Sequence, residues 1–304
     1  MTQRMLYILT PGNNISPFDV TLAADAGFSQ LIPVTGIDTR DVQPIVQDAI
    51  FCRPPKRFND TAVFIGGRDV HLATDMFNMA KNAMVGDFSI GVFADPNGAY
   101  TTSGAVLALV ANGLEQKTDK GLAGRKVSVL GTGPVGLCCA ILAAQQGAEV
   151  NLCALTADDD DRVAKRFCER YKVDVAWQLA TTTEQKIEVM KDTEVMICAA
   201  KAGIRILGRE VLEHLEKLVI VADTNAVPPS GVEGVGMHDD VVEETVGSST
   251  FYSIGPLVIG DLKYKTQYGL FQVLQESTEP AVLDFPEAYK YALGQLHGTV
   301  KKAA

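Results

Sequence analysis

Three glycines, Gly131, Gly133 and Gly136, carry the clearest chemistry in the chain. They lie in Lys126-Val-Ser-Val-Leu-Gly-Thr-Gly-Pro-Val-Gly, just ahead of the apolar run Leu137 to Ala144. The pattern reads as a short buried strand, a glycine turn and the start of a helix. Gly131 permits the tight turn, Gly133 lets the backbone approach a pyrophosphate, and Gly136 lets the helix pack closely on the strand. The helix N-terminus offers N–H groups and a partial positive charge to phosphates. Thr132, Pro134 and Val135 complete the loop. The spacing by itself also fits a plain strand-to-helix turn. The strand before it, the helix after it and a further strand at Ala148 to Leu155 are the context that a dinucleotide site needs.

Cofactor choice is read at the end of that further strand, where an acid takes the ribose hydroxyls of NAD and an arginine takes the phosphate of NADP. Leu155 and Thr156 stand there and are neither. The acidic run Asp158 to Asp161 would repel a phosphate if it turned inward, while Arg162 and Lys165 are within sequence reach. The balance favours NAD, or use of both NAD and NADP. Strands expected at Val195 to Ala199 and Leu218 to Ala222 end near the same edge, which makes Ala199 and Asn225 candidate cofactor contacts. The Pro228-Pro229 pair that follows fits a rigid turn equally well.

The residues that could do other chemistry are sparse. Cys52, Cys138, Cys139, Cys153, Cys168 and Cys198 form no C-x-x-C pair, and His71, His214, His238 and His297 show no H-E-x-x-H spacing. No metal site is expected. Cys138 and Cys139 fall inside the helix after the glycine loop and read as small core residues of a reducing compartment.

These residues need elements to hold them, and the sequence supplies an alternation. Apolar runs at Met5 to Leu9, Leu31 to Val34, Ala62 to Ile65 and Ser89 to Phe93 read as strands. Amphipathic runs at Pro17 to Ala26, Asp41 to Phe51 and Val70 to Met84 read as helices, the first capped by Ser16. Asp95-Pro-Asn-Gly is a turn, followed by Thr101 and Thr102 as caps of a helix over Ser103 to Leu114. Beyond the glycine loop come a helix at Asp159 to Tyr171 and a strand at Val173 to Ala176. Asp223 to Val246 reads as loop, and helices are expected at Leu262 to Glu276 and Pro286 to Leu296. The fold class is therefore α/β, with two domains, each a mostly parallel sheet flanked by helices, one of them Rossmann-like. The expected division is a substrate domain over 1–116, a dinucleotide domain over 117–258, and C-terminal helices over 259–304 that pack back on the first domain.

Composition bounds the partners. The 304 residues carry a formal net charge of −10 with no basic block, which argues against a nucleic-acid surface. No apolar run is long enough to span a membrane and no signal peptide is visible, so the expected place is the cytoplasm.

Five ordered segments together resemble the NAD(P)-dependent methylene-tetrahydromethanopterin dehydrogenases of methylotrophic bacteria. They are Leu9-Thr-Pro to Ser16-Pro-Phe-Asp19-Val, Asp95-Pro-Asn-Gly98 with Thr101-Thr102, the glycine loop, Ala222-Asp-Thr-Asn225-Ala-Val-Pro-Pro229, and Gly255-Pro-Leu-Val-Ile-Gly260-Asp-Leu-Lys263-Tyr-Lys265. The resemblance implies a pterin domain, a nucleotide domain and a homo-oligomer. It also implies transfer of a hydride from the methylene carbon of a tetrahydropterin to a nicotinamide. That step needs no proton abstraction, and positioning of two bound molecules can supply most of the catalysis. Under the resemblance, Asp19, Lys263 and Thr102 are the candidate catalytic residues. Asp19 is also suited simply to the positive end of a helix, Thr102 to a cap, and Lys263 to the surface, Lys265 more so. Two other readings stay open: a methylene-tetrahydrofolate dehydrogenase, and a non-catalytic NAD(P)-sensing protein, which loss of Asp19 and Lys263 would have favoured.

Overall fold

The computed structural model describes residues 4–157 and 161–300. The elements run β1 (Met5–Thr10), α1 (Pro17–Asp25), β2 (Gln30–Thr35), α2 (Thr39–Phe51), β3 (Thr61–Ile65), α3 (Val70–Asn82), β4 (Gly91–Ala94) and α4 (Ala99–Lys117). There follow β5 (Lys126–Leu130), α5 (Pro134–Gln145), β6 (Glu149–Ala154), α6 (Asp161–Arg170), β7 (Ala176–Leu179), α7 (Thr183–Met190), β8 (Val195–Cys198) and α8 (Arg209–Leu212). The chain closes with β9 (Ile220–Asp223), β10 (Asp240–Val246), β11 (Ser249–Ile254), α9 (Pro256–Glu276), β12 (Val282–Leu283) and α10 (Phe285–Leu296). Two compact units result, one of Met1–Thr101 with Tyr264–Ala304 and the other of Thr102–Lys263. The chain passes between them inside α4 and inside α9, where the sequence reading had set its divisions at 116/117 and 258/259.

The first unit is a five-stranded sheet in the order β12-β4-β3-β1-β2, parallel throughout. A parallel sheet must be covered on both faces, so its strands run apolar without alternation; every residue of β3 and β4 is buried. The C-terminal helices complete the unit. Phe271 of α9 is fully buried against Phe64 and Phe93, with ring centroids 5.1 Å from each. Leu270, Leu274, Leu283 and Ala288 join the same core.

The second unit is a seven-stranded sheet in the order β10-β11-β9-β8-β5-β6-β7, parallel except for the β10–β11 pair. Its first six parallel strands follow the Rossmann order. Helix α5 is buried from Gly136 to Ala143, which is why the sequence there shows no polar stripe.

Four local expectations shift. Helix α4 starts at Ala99 rather than Ser103, because the fully buried Asp95 carboxylate accepts the N–H groups of Tyr100 (2.9 Å) and Thr101 (3.1 Å) and so begins the helix earlier. Helix α9 starts at Pro256, not Leu262, since proline suits a first helical turn. Strand β7 begins at Ala176, where the expected strand ended, because Val173 closes the turn after α6 by donating its N–H to the Cys168 carbonyl. The supposed loop over Asp223 to Val246 ends in β10, which turns at Gly247 (φ +64°) into β11.

At the start of α10 the Asp284 N–H meets Glu287 Oε2 at 3.4 Å. Burial, with the Glu287 carboxyl alongside, pushes Asp284 up to about 8 against the pull of Lys81 and Lys290. Glu287 is itself held below its ordinary value, chiefly by Asp284 and Lys290 working against burial. The folded state therefore holds a proton on Asp284 that the unfolded chain releases near pH 4. Its stabilising effect is complete below that and is lost as pH rises toward 8. We expect Asp284→Asn, a neutral near-isostere, to gain melting temperature relative to the native chain as pH rises from 5 to 8.5. Parallel melting curves for the two proteins across that window would refute the assignment.

Candidate functional site

Strands β5 and β8 are adjacent, yet the chain leaves β5 toward β6 on one side and reaches β8 on the other. Such a reversal opens a crevice at the C-terminal strand ends, and the glycine loop lies there. Gly131 has φ +105°, and a Cβ on it would stand 2.8 Å from the Ala199 carbonyl oxygen, so only glycine fits between β5 and β8. A Cβ on Gly136 would run into the Gly131 carbonyl oxygen. Gly133, by contrast, is exposed and has nothing within 4 Å of where its Cβ would be. It is also the N-cap of α5 and offers no side-chain acceptor, and Pro134 at the first position has no N–H. The leading N–H groups of α5 therefore belong to Val135 and Gly136. Open space at Gly133 in front of an uncapped helix N-terminus fits a pyrophosphate. Thr132, Pro134 and Val135 are half-buried around it, and Ala199 closes the β8 side.

On the β6 side, Thr156 is exposed, while Leu155 is half-buried and leans on the core of the unit. Of the acidic run, 158–160 lie outside the described residues. Asp161 pairs with Lys165 at 2.6 Å on an exposed helix face, which occupies one of the two cations near that edge.

Asn225 sits two residues beyond β9 and is buried. Its side-chain oxygen accepts the N–H groups of Gly203 (3.0 Å) and Val227 (2.9 Å), and its amide donates to the Pro229 carbonyl (2.7 Å). Asp223, fully buried at the end of β9, accepts from Asn225 N (3.0 Å) and Val232 N (3.1 Å). Burial raises the Asp223 carboxyl against these bonds. Together the two side chains stitch the loop after β8 to the loop after β9. Asp223 was not singled out from sequence; its place at a strand end, before a residue that folds back on it, is the signal.

In the first unit the reversal falls between β1 and β3. Thr10-Pro11 ends one strand and Gly66-Gly67 the other. Asp19 lies beside them in the first turn of α1, where Ser16 Oγ accepts its N–H at 3.4 Å. Only 6% of Asp19 is exposed, well below what a mere helix-end charge requires. Gln267 of α9 donates to Asp19 Oδ1 at 2.7 Å, and a Cβ on Gly66 would lie 3.9 Å from Asp19 Oδ2. No local signal points to Gln267, which stands 248 positions away. It is fully buried on the helix that also buries Leu270, Phe271 and Leu274, an unusual place for a glutamine.

The remaining candidates separate. Thr101 is fully buried and its hydroxyl donates to Asp95 at 2.6 Å, so it helps start α4. Thr102, the next residue, is half-buried in the helix. Lys263 is half-buried inside α9, whereas Lys265 is exposed. Cys139 and Cys198 are raised by burial, as is Cys153, pushed up to about 12, so none is a thiolate nucleophile at neutral pH. Among the described residues no group of three or more His, Cys, Asp or Glu is arranged to hold a metal ion.

A Rossmann-ordered sheet with a glycine loop at its reversal, paired with a second α/β unit, defines a dinucleotide-binding dehydrogenase fold. An NAD-dependent malic enzyme from Thermotoga maritima shares the fold, with a TM-score of 0.55 at 13% identity over 96% of this chain and 85% of that one. Residues 17–97 match the family model for the N-terminal part of methylene-tetrahydromethanopterin dehydrogenase. The chain is 38% identical to the NAD(P)-dependent methylenetetrahydromethanopterin dehydrogenase of Methylorubrum extorquens, over 96% of this chain and 99% of that protein. It is 31% identical to the bifunctional protein MdtA of the same organism, over 96% and 99%. The chain belongs to the methylene-tetrahydromethanopterin dehydrogenase family.

The open space at Gly133 gives a direct test. Gly133→Val places two methyl groups where phosphates approach, while no protein atom lies close enough to clash with the new Cβ. The variant should fold, and nucleotide affinity measured by titration calorimetry should fall at least about tenfold, or ~1.4 kcal/mol. Native affinity in the folded variant would remove the pyrophosphate from this loop.

Proposed function

We propose that the protein oxidises methylene-tetrahydromethanopterin to the methenyl form with NAD or NADP as hydride acceptor, in one-carbon metabolism. The observation that carries this reading is the identity of 38% along nearly the whole of both chains to a relative named for that activity. The structure supports it with two ligand-competent strand edges, one lined by the glycine loop and one by Asp19.

The division of labour follows from the chemistry. A bound nicotinamide supplies the hydride acceptor. Gly131, Gly133 and Gly136 hold the pyrophosphate through the backbone, and Thr132, Pro134, Val135 and Ala199 shape the loop. Asp19 accepts hydrogen bonds from the N–H edge of the pterin. Lys263 and Thr102 orient the carbon that gives up its hydride. Because the methenyl product is a cation stabilised by its own nitrogens, no side chain has to remove a proton, and alignment is the main requirement. The same reading makes the protein a cytoplasmic homo-oligomer whose partners are small molecules rather than nucleic acid or lipid. It agrees with the net charge of −10, and among the described residues no helix is long and apolar enough to cross a membrane.

The decisive assay follows nicotinamide absorbance with methylene-tetrahydromethanopterin and methylene-tetrahydrofolate, each with NAD and NADP. Turnover of the methanopterin carrier is expected; activity confined to the folate carrier, or none, would overturn the proposal. Lys263→Ala and Asp19→Ala should fold, keep nucleotide affinity and lose turnover by on the order of a hundredfold, the cost of misplacing a reacting atom by ~1 Å. Near-native turnover in both would leave these residues with packing roles alone.

Nucleotide choice has its own test. With no cation at 155 or 156, NAD should be used at least as well as NADP. Leu155→Arg should shift the ratio of kcat/KM toward NADP by supplying a guanidinium for the 2′-phosphate. Strict NADP preference in the native protein would contradict this.

A further inference from the structure

We infer that Lys201, in the loop after β8, binds the diphosphate of the nucleotide; the inference rests on the reading of the glycine loop as the pyrophosphate site. That loop leaves β8 directly beside the glycine turn. A Cβ on Gly131 would stand 2.8 Å from the Ala199 carbonyl oxygen and 3.2 Å from the Cα of Ala200. Lys201 is the next residue, one Cα step of about 3.8 Å further on, and it is exposed. Both ends of its loop are fixed. Ala199 donates its N–H to the Leu130 carbonyl at 2.9 Å, and Gly203 donates its N–H to Asn225 Oδ1 at 3.0 Å. Asn225 is itself buried and donates to the Pro229 carbonyl. The backbone that carries the cation is therefore in place before a ligand arrives, which lowers the ordering cost of binding.

The other cation of the loop shows what a structural role looks like there. Arg205 donates from Nε to the Ser230 carbonyl at 2.7 Å, and its guanidinium lies 3.4 Å from Glu233. Among the described residues Lys201 has neither an ion pair nor a side-chain hydrogen bond. A diphosphate brings a negative charge on each phosphate, while a helix N-terminus offers only about half an elementary charge. The glycine loop from Gly131 to Gly136 holds no cation of its own. A further positive charge on the β8 side balances the pair. Lysine suits that task, being a point charge with three rotatable donors on a four-carbon stem. In a chain with a net charge of −10 it also offsets the field that would turn an anion away. Ile204 and Val227 stand exposed on the same two loops, and a Cβ on Gly203 would lie 3.5 Å from Val227 Cγ1. The lip therefore has an apolar side next to its cation, which suits a ligand with ring systems flanking its phosphates.

Three substitutions and a control test this. Lys201→Met keeps the length and removes the charge, Lys201→Arg keeps the charge, and Lys201→Glu reverses it. Lys120→Met removes the same charge from an exposed residue ahead of β5, at the other end of the strands. Each variant is titrated calorimetrically with NADH, with NADPH and with adenosine diphosphate ribose, which keeps the diphosphate and lacks the nicotinamide. Melting temperature is measured alongside. We expect Lys201→Met to lose about tenfold in affinity for all three ligands, the scale of a lost charge-assisted hydrogen bond. Lys201→Glu should lose more, Lys201→Arg should stay within threefold of native, and Lys120→Met within twofold. Melting temperatures should match that of the native protein, since the lysine holds nothing in the fold. Affinity within twofold of native in Lys201→Met overturns the inference. So does a loss for the two nicotinamide nucleotides that spares adenosine diphosphate ribose, which would move the contact away from the phosphates. An equal loss in Lys120→Met also overturns it, because net charge alone would then be the cause. If Gly133→Val loses affinity and Lys201→Met does not, the glycine-loop reading stands and this inference alone fails. If the native protein binds none of the three ligands, that reading fails and the inference falls with it.

Discussion

The packing of Phe271 against Phe64 and Phe93 is the contact on which the first unit depends. A parallel sheet left bare on one face exposes apolar strands, and every residue of β3 and β4 is buried, Thr61 being the one polar side chain among them. Helix α9 covers them, and β12 extends the β4 edge. Truncating a phenylalanine in such a place costs about 3–5 kcal/mol, a large part of the net stability of a domain. The same burial that seats Phe271 brings Gln267, one turn earlier in the helix, to Asp19. Core packing and site geometry are one requirement here: the helix cannot move off the sheet without withdrawing the donor from the carboxylate.

The second unit rests on a steric constraint of a different kind. Strands β5 and β8 approach so closely at Gly131 and Ala199 that no side chain fits between them, and α5 sits so near Gly131 that none fits at Gly136. Gly133 alone faces open space. Two of the three glycines are therefore demanded by the fold while the third borders open space, a distinction that the shared residue type conceals. Across the sheet, Asn225 and Asp223 do by hydrogen bonding what the glycines do by absence, holding two loops in register around the same edge.

Much of this was legible in the chain. The glycine loop has its strand and helix as read, and Ser16 caps α1. What was not legible depended on distance or on competing local signals. Gln267 and Asp19 are joined only by the tertiary fold, and no local pattern couples positions so far apart. Helix α4 begins early because Asp95 reaches forward to cap it, an effect that the turn-forming Pro96, Asn97 and Gly98 mask in sequence. Strand β10 carries Glu243 and Glu244, whose charge reads as loop but serves to guard an exposed sheet edge. Asn225 was marked by where its strand ends; its bonds to Gly203, Val227 and Pro229 join segments that no local pattern links.

The interruption of the first unit by Thr102–Lys263 has a consequence in time. Chains fold as they emerge, at about 5–20 residues per second. Strands β1 to β4 are finished early, yet β12, Phe271 and Gln267 arrive only after the entire second unit has been made, an interval on the order of ten seconds or longer. The second unit is continuous and can reach its native state at once. The first must wait as four strands with one apolar face open, and it becomes a domain only when the last forty or so residues return to it. The carboxylate site is therefore the last part of the protein to exist. A ribosome that stops short of α9 releases a chain whose second sheet is complete and whose first still lacks β12, Phe271 and the donor to Asp19.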